Sequence, residues 1–222
     1  MHLRARHPGT SLAGLLFFEL IRMLAAAAMI LLYRLRWRGG SNVPRTGPLL
    51  IVANHQSFLD PPMVGVMCAP RHLDFIARGG LFENPSFARL ITALNSIPIK
   101  EDGGDVAAMK EALARLAQGK AVLIFPEGSR THDGNMVGFK RGVSVLVKRA
   151  NCPVLPVGID GPFEVWPRAR KVPRLFGIRI AGVIGRPIPH DELLRDGPDA
   201  ALRRLEREVS ALADQARAIR GT

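Results

Sequence analysis

The sequence predicts an α/β domain, a mostly parallel sheet flanked by helices, with an apolar membrane-associating helix at its amino terminus. Three observations carry this. Apolar runs of strand length recur at residues 49–53, 73–77, 121–125 and 154–159. Segments of helical periodicity lie between them, which is the pattern of a parallel sheet. Residues 12–33 form an almost unbroken apolar stretch.

That stretch reads LAGLLFFELIRMLAAAAMILLY. Only Glu19 and Arg22 interrupt it. Three positions apart on a helix, they share a face and can pair. A helix of this length runs roughly 33 Å, enough for a bilayer core. A cleaved signal peptide fits poorly, because the two charges split its apolar region. A buried core helix would need apolar neighbours nearly all round. A single span and an in-plane or re-entrant anchor both fit, since such charges are costly in hydrocarbon but tolerable near headgroups. Membrane attachment is therefore expected, with its geometry open. Arg34, Arg36 and Arg38 outnumber Arg4 and Arg6, which puts the rest of the chain on the cytoplasmic face. The expected organisation is an attachment segment at 1–34 and one domain at 35–222.

Along that domain, Leu35 and Trp37 alternate with arginines as on a half-buried strand. Residues 42–48 carry Pro and Gly and read as a turn. The apolar run at 49–53 suits a buried strand. Pro61 and Pro62 open a helix to about Cys68. A strand at 73–77 follows, then a brief one at 97–99, where Pro98 indicates a sheet edge. Asp105 can cap a helix whose Val106, Met109, Leu113 and Leu116 share a face, ended by Gly119. A buried strand at 121–125, a helix at 143–149 and strands at 154–159 and 179–184 come next. Leu202, Leu205, Val209, Leu212, Ala216 and Ile219 stripe a last helix, too short for a coiled coil and therefore docked on the core.

The composition is globular, with 47% apolar and 23% charged residues. The net charge of +12 favours an anionic partner: nucleic acid, a membrane surface or a phosphorylated substrate. Aromatic residues make up only 6% and do not interleave with the charge, which argues against nucleic acid. Cys68 and Cys152 lie in or beside apolar runs and read as buried free thiols. No metal-type spacing of Cys and His occurs, so no metal is expected.

Two short blocks carry the chemistry. The first is Asn54-His55-Gln56-Ser57-Phe58-Leu59-Asp60. Five positions on a continuous helix would put His55 and Asp60 on different faces. A turn brings them together, and Asn54, Ser57 and the double proline permit one. Asp60 can then fix the imidazole tautomer and leave the other nitrogen to take a proton from a substrate hydroxyl. The bland alternative is an Asp60 helix cap beside a structural histidine. The second block is Phe125-Pro126-Glu127-Gly128-Ser129-Arg130-Thr131. Gly128 permits a tight turn, and its N–H groups with Arg130 make an anion cradle. Glu127 can position Arg130 or meet a ligand hydroxyl. Here the alternative is a surface turn with Glu127 and Arg130 as a solvated pair. Lys140 and Arg141 add cations downstream. Both blocks follow predicted buried strands, so both can meet at the carboxyl edge of one sheet.

In this order and spacing the blocks resemble the glycerolipid acyltransferase superfamily, specifically the 1-acyl-glycerol-3-phosphate acyltransferases. Asn54, His55 and Asp60 match that family's Asn-His-x4-Asp motif. Phe125 through Arg130 match Phe-Pro-Glu-Gly-x-Arg. Phe139-Lys140-Arg141-Gly142 and Val154-Leu155-Pro156-Val157 are similar to further family elements. The similarity runs over residues 37–161. In the second motif Lys100, followed by Glu101 and Asp102, stands where members carry an arginine.

The resemblance implies acyl transfer from acyl-CoA or acyl carrier protein to the free hydroxyl of a lysophospholipid, 1-acyl-glycerol-3-phosphate, giving phosphatidic acid. It implies His55 as general base and Asp60 as its orienting partner. It places Lys100, Glu127, Gly128, Ser129, Arg130 and Lys140 at the substrate, and it implies no metal and no cofactor beyond the acyl carrier. Another lyso-lipid acceptor, such as a lyso-ornithine lipid, and a non-catalytic lipid-binding protein are the alternatives. The basic stretch Arg168, Arg170, Lys171 and Arg174 beside Trp166 can rest on anionic lipid, contact the carrier, or be a solvated loop.

Overall fold

Apolar runs buried on both faces must pair their backbone groups with one another, and here they do so in one seven-stranded sheet. The computed structural model describes residues 11–69, 71–99 and 104–221. The strands are β1 Arg36–Arg38, β2 Leu49–Ala53, β3 Leu73–Arg78, β4 Ser96–Ile99, β5 Ala121–Ile124, β6 Val154–Asp160 and β7 Ala181–Ile184. Among the described residues the helices are α1 Leu12–Tyr33, α2 Asp60–Met67, α3 Pro85–Ala93, α4 Gly104–Ala117, α5 Gly142–Ala150, α6 Pro162–Val165, α7 His190–Leu193 and α8 Pro198–Gly221.

Across the sheet the order is β1-β7-β6-β2-β5-β3-β4. Every neighbouring pair is parallel except β6 with β7. Leu50 of β2 lies between Val122 of β5 and Val154 of β6. β2, β5 and β6 are buried throughout. Their alternating side chains feed two cores. Leu49, Ile51, Leu123, Leu155 and Val157 pack with Met29 and Tyr33 of α1 and Met63 and Met67 of α2. Leu50, Val52, Val122 and Val154 pack with Leu116 of α4, Leu146 of α5 and Leu205 and Val209 of α8. Helices α1 and α2 thus cover one face, and α4, α5 and α8 the other.

Two sequence expectations change in detail. All three residues of β1 are exposed, because β1 is an edge strand; the buried apolar residue, Leu35, lies just before it. The sequence analysis expects no helix at α3, which the structure places at Pro85–Ala93 with Ile91 buried. Pro98 does fall in the edge strand, β4. Cys68 and Cys152 are free and buried; burial pushes their thiols up to about 12 and about 11.

Helix α1 is long and apolar enough to cross a membrane, by length and composition. Leu15 and Phe18 near its start and Met29 and Tyr33 near its end are buried against the domain. Its two charges turn inward. Glu19 accepts from Arg22 and meets His72 Nε2 at 2.8 Å. Phe18 stacks on the same histidine, 3.8 Å between centroids. The outward side shows Leu16, Leu20, Met23, Leu24 and Leu31, each more than half exposed.

The striped helix α8 lies directly on β6. A Cβ at Gly158 would collide with the backbone of Leu212 and Ala213. Gly158→Ala must push the helix off the sheet, an overpacking that costs about 1–3 kcal/mol. Chemical denaturation of the variant should read a loss of that size, and an unchanged midpoint would show that α8 yields freely.

Candidate active site

β2 and β5 are adjacent and parallel, so the chain leaves both at the same sheet edge. The His55 block follows β2 and the Pro126–Thr131 turn follows β5. The order β6-β2-β5 makes the two loops neighbours.

The first loop folds around Asp60, which is fully buried. Its Oδ2 accepts from the backbone N–H of Gln56 at 2.5 Å and of Ser57 at 2.6 Å. The same oxygen lies 2.7 Å from His55 Nδ1. A turn, not a helix, therefore closes the five-residue spacing. Helix α2 begins at Asp60, with prolines at its first positions, so the carboxylate also sits at a helix amino terminus. Burial pushes the Asp60 carboxyl up, and the contacts from His55, Ser57 and Gln56 pull against it. The imidazole lies flat on Phe125, 4.0 Å between centroids with 15° between planes. Its side chain keeps 18% exposure, while Nδ1 is committed to Asp60, so Nε2 is the nitrogen left for a substrate.

The loops are tied by backbone. Glu127 Oε1 accepts from His55 N at 2.6 Å and Oε2 from Val137 N at 2.9 Å. Thr131 N donates to His55 O at 2.9 Å. Asn54 makes a two-way clasp with Ile159 of β6: Nδ2 donates to its carbonyl at 2.9 Å and Oδ1 accepts from its N–H at 2.8 Å. Gln56 Nε2 reaches Gly134 O, and Ser57 Oγ donates to Trp166 O.

The sequence-predicted residues fall as follows. His55 and Asp60 meet. Glu127 is buried, and both its oxygens accept from backbone N–H groups, so it holds the loops together. The Arg130 guanidinium stacks over Phe58, 3.4 Å from its ring centroid, which brings the cation onto the His55 loop. Gly128 has φ +70°, and the Lys140 side chain passes through the space a Cβ would occupy. Ser129 is half-buried in the same turn. Lys100, with Glu101 and Asp102, lies outside the described residues; β4 ends just before it, at Ile99. Sequence reasoning missed Phe125 under the imidazole, Phe58 under the guanidinium, and Thr131. Phe125 closes an apolar run, which signals core more readily than a ring platform. Among the described residues no group of three His, Cys, Asp or Glu has a metal-binding arrangement.

Comparison with known proteins shows what the chain is similar to. Residues 34–160 match the family model described as Acyltransferase. The chain is 31% identical over 188 residues to a 1-acyl-sn-glycerol-3-phosphate acyltransferase alpha from Ovis aries, covering 83% of this chain and 60% of that protein. It is 27% identical over 149 residues to a chloroplastic 1-acyl-sn-glycerol-3-phosphate acyltransferase from Arabidopsis thaliana, covering 66% and 41%. The crystal structure of the 1-acyl-sn-glycerophosphate acyltransferase PlsC from Thermotoga maritima superposes with a TM-score of 0.80 at 25% identity, covering 93% of this chain and 82% of that one. The chain spans about two fifths to three fifths of the length of these curated relatives.

Burial pushes the Glu127 carboxyl up to about 7; the N–H groups of Val137 and His55 lower it, and the charges of Asp60 and Glu206 raise it further. Its ordinary value is 4.5. Below that value both folded and unfolded chains hold the proton, and the stabilisation is complete. As pH rises toward about 7 the unfolded carboxyl ionises first, and the contribution is lost. The stability of wild type relative to Glu127→Gln, from denaturant unfolding, should therefore fall from about pH 5 to about pH 8. A flat difference would mean an ordinary carboxyl.

Proposed function

The chain belongs to the acyltransferase family, and from that premise we propose that it transfers a fatty acyl group from a thioester to the free hydroxyl of 1-acyl-glycerol-3-phosphate, giving phosphatidic acid. The observation that carries this is the His55–Asp60 pair at 2.7 Å, fixed against the arginine turn by Glu127 and Thr131. The names of the relatives supply the acceptor.

In this reading His55 Nδ1–H donates to Asp60, and Nε2 removes the proton of the acceptor hydroxyl. The hydroxyl oxygen bonds to the thioester carbonyl carbon, the C–S bond breaks, and the imidazolium returns its proton to the leaving thiolate. The buried Asp60 charge stabilises the imidazolium while it exists. Phe125 holds the ring plane. Arg130, the N–H groups around Gly128 and Ser129, Lys140 and Lys100 hold the acceptor phosphate, and Glu127 keeps their turn against the base. The acyl carrier is CoA or acyl carrier protein, and the reaction asks for no metal.

Helix α1 attaches the enzyme to the cytoplasmic face of the membrane, lying in its plane. Its buried residues run from Leu15 to Tyr33, so a span would carry the wall of the domain into hydrocarbon. Lying in plane, α1 turns Glu19 and Arg22 to the protein and its outer apolar side to lipid.

His55→Ala and Asp60→Ala should each lower acylation of lysophosphatidic acid by about 10²–10⁴, with vesicle association unchanged. A panel of lyso-lipid acceptors against one acyl thioester, read by product mass, should give phosphatidic acid as the dominant product. Normal turnover by His55→Ala would remove it as the base, and a dominant product from another acceptor would correct the substrate.

A further inference from the structure

Residues 167–177 are absorbed neither by the fold nor by the reaction. From Val165 to His190 the chain carries six cations, Arg168, Arg170, Lys171, Arg174, Arg179 and Arg186, and no acidic residue. Among them, Val172 is 67% exposed, Leu175 52% and Phe176 73%. Three large apolar side chains held out together in one short loop mark a contact surface.

The loop is built, not slack. Trp166 Nε1 donates to Arg170 O at 3.0 Å, and Arg174 N to Val165 O at 2.9 Å. Its returning limb is anchored by buried Ile178 and Ile180, and Ile180 N donates to the carbonyl of Tyr33, the last residue of α1. Its root touches the site: Ser57 Oγ donates to Trp166 O at 2.8 Å, and the Trp166 ring meets Phe58 at 5.0 Å. The loop therefore bridges the apolar helix and the His55 loop.

We propose that residues 167–177 form a second membrane contact, which seats its basic side chains on anionic headgroups and puts Val172, Leu175 and Phe176 into the outer acyl region. Both halves of the composition need this partner. An acidic protein would pair the cations but leave the apolar tip in water. An anionic leaflet takes both, because long cationic side chains stay at headgroup depth while neighbouring apolar ones go deeper. A helix lying in plane can still roll about its axis. A second contact fixes that roll, and with it the direction in which the site opens. The inference assumes a lipid-acting protein for its purpose, but its test needs no turnover.

The full-length protein is labelled through Phe176→Cys with an environment-sensitive nitrobenzoxadiazole dye, the two native thiols being buried. A second sample is labelled through Arg207→Cys on α8, on the opposite face of the sheet. Each is bound to vesicles of phosphatidylcholine with phosphatidylglycerol, and to phosphatidylcholine alone. The dye at 176 should shift to the blue and be quenched by lipid carrying an acyl-chain nitroxide in the anionic vesicles, and respond weakly in the neutral ones. The dye at 207 should not respond. Adding Lys171→Glu and Arg174→Glu should raise the anionic lipid needed for half the shift about tenfold, with the circular dichroism spectrum unchanged. A silent dye at 176, an equal response in neutral vesicles, or a response to acyl carrier protein in detergent with vesicles silent would each overturn the proposal.

Discussion

A carboxylate taken out of water needs donors, and Asp60 draws three of them onto one oxygen from the five residues before it. Its Oδ2 collects Gln56 N, Ser57 N and His55 Nδ1. That one atom folds the loop, starts α2 and sets the imidazole. None of the three can be lost alone: a loop that released its N–H groups would leave the charge with the ring only, and a ring that turned away would leave it with the backbone only. The orientation of the imidazole is thus a by-product of how the loop supplies donors to a buried carboxylate.

Sheet order supplies the rest. β2 sits between β6 and β5, and the residue after β2 on each side is claimed by a neighbour. Asn54 is clasped by Ile159 of β6. His55 is held by Glu127 and Thr131 of the turn after β5. His55 is therefore fixed from both flanks through backbone atoms, which leave its Nε2 uncommitted to the loops. Glu127 carries a cost in this arrangement, since burial raises its carboxyl to about 7. The two N–H groups it accepts are what make an ionised form tolerable there.

Much of this was legible in the chain itself. Runs of strand length, a helix stripe and prolines in the right places gave the sheet, its edge at β4 and the docking of α8. The site was legible as two blocks, because histidine, aspartate and an arginine turn after buried strands have few uses in common. What escaped has physical reasons. β7 runs antiparallel to β6, and strand direction leaves no mark on composition. The platforms Phe125 and Phe58 are apolar residues that any core would also hold. Glu127 looked available to a ligand, because hydrogen bonds to backbone N–H groups of distant residues are a matter of tertiary placement.

Helix α1 shows the same limit from the other side. Two charges in an apolar segment left its relation to the membrane undecided, since sequence cannot say which way they face. Their partners show which way they face. Glu19 meets His72 and Arg22 on the domain side, so the outward side of the helix is left to apolar residues. The carboxylate that argues against insertion is what fastens the helix to the domain. Because Tyr33 of that helix binds Ile180, and Trp166 of the same loop binds the His55 turn, the base stands two short segments from the apolar side of α1. In the proposed reaction, this arrangement lets an acceptor leave its acyl chain in the leaflet while its phosphate and hydroxyl reach the arginine turn and the imidazole.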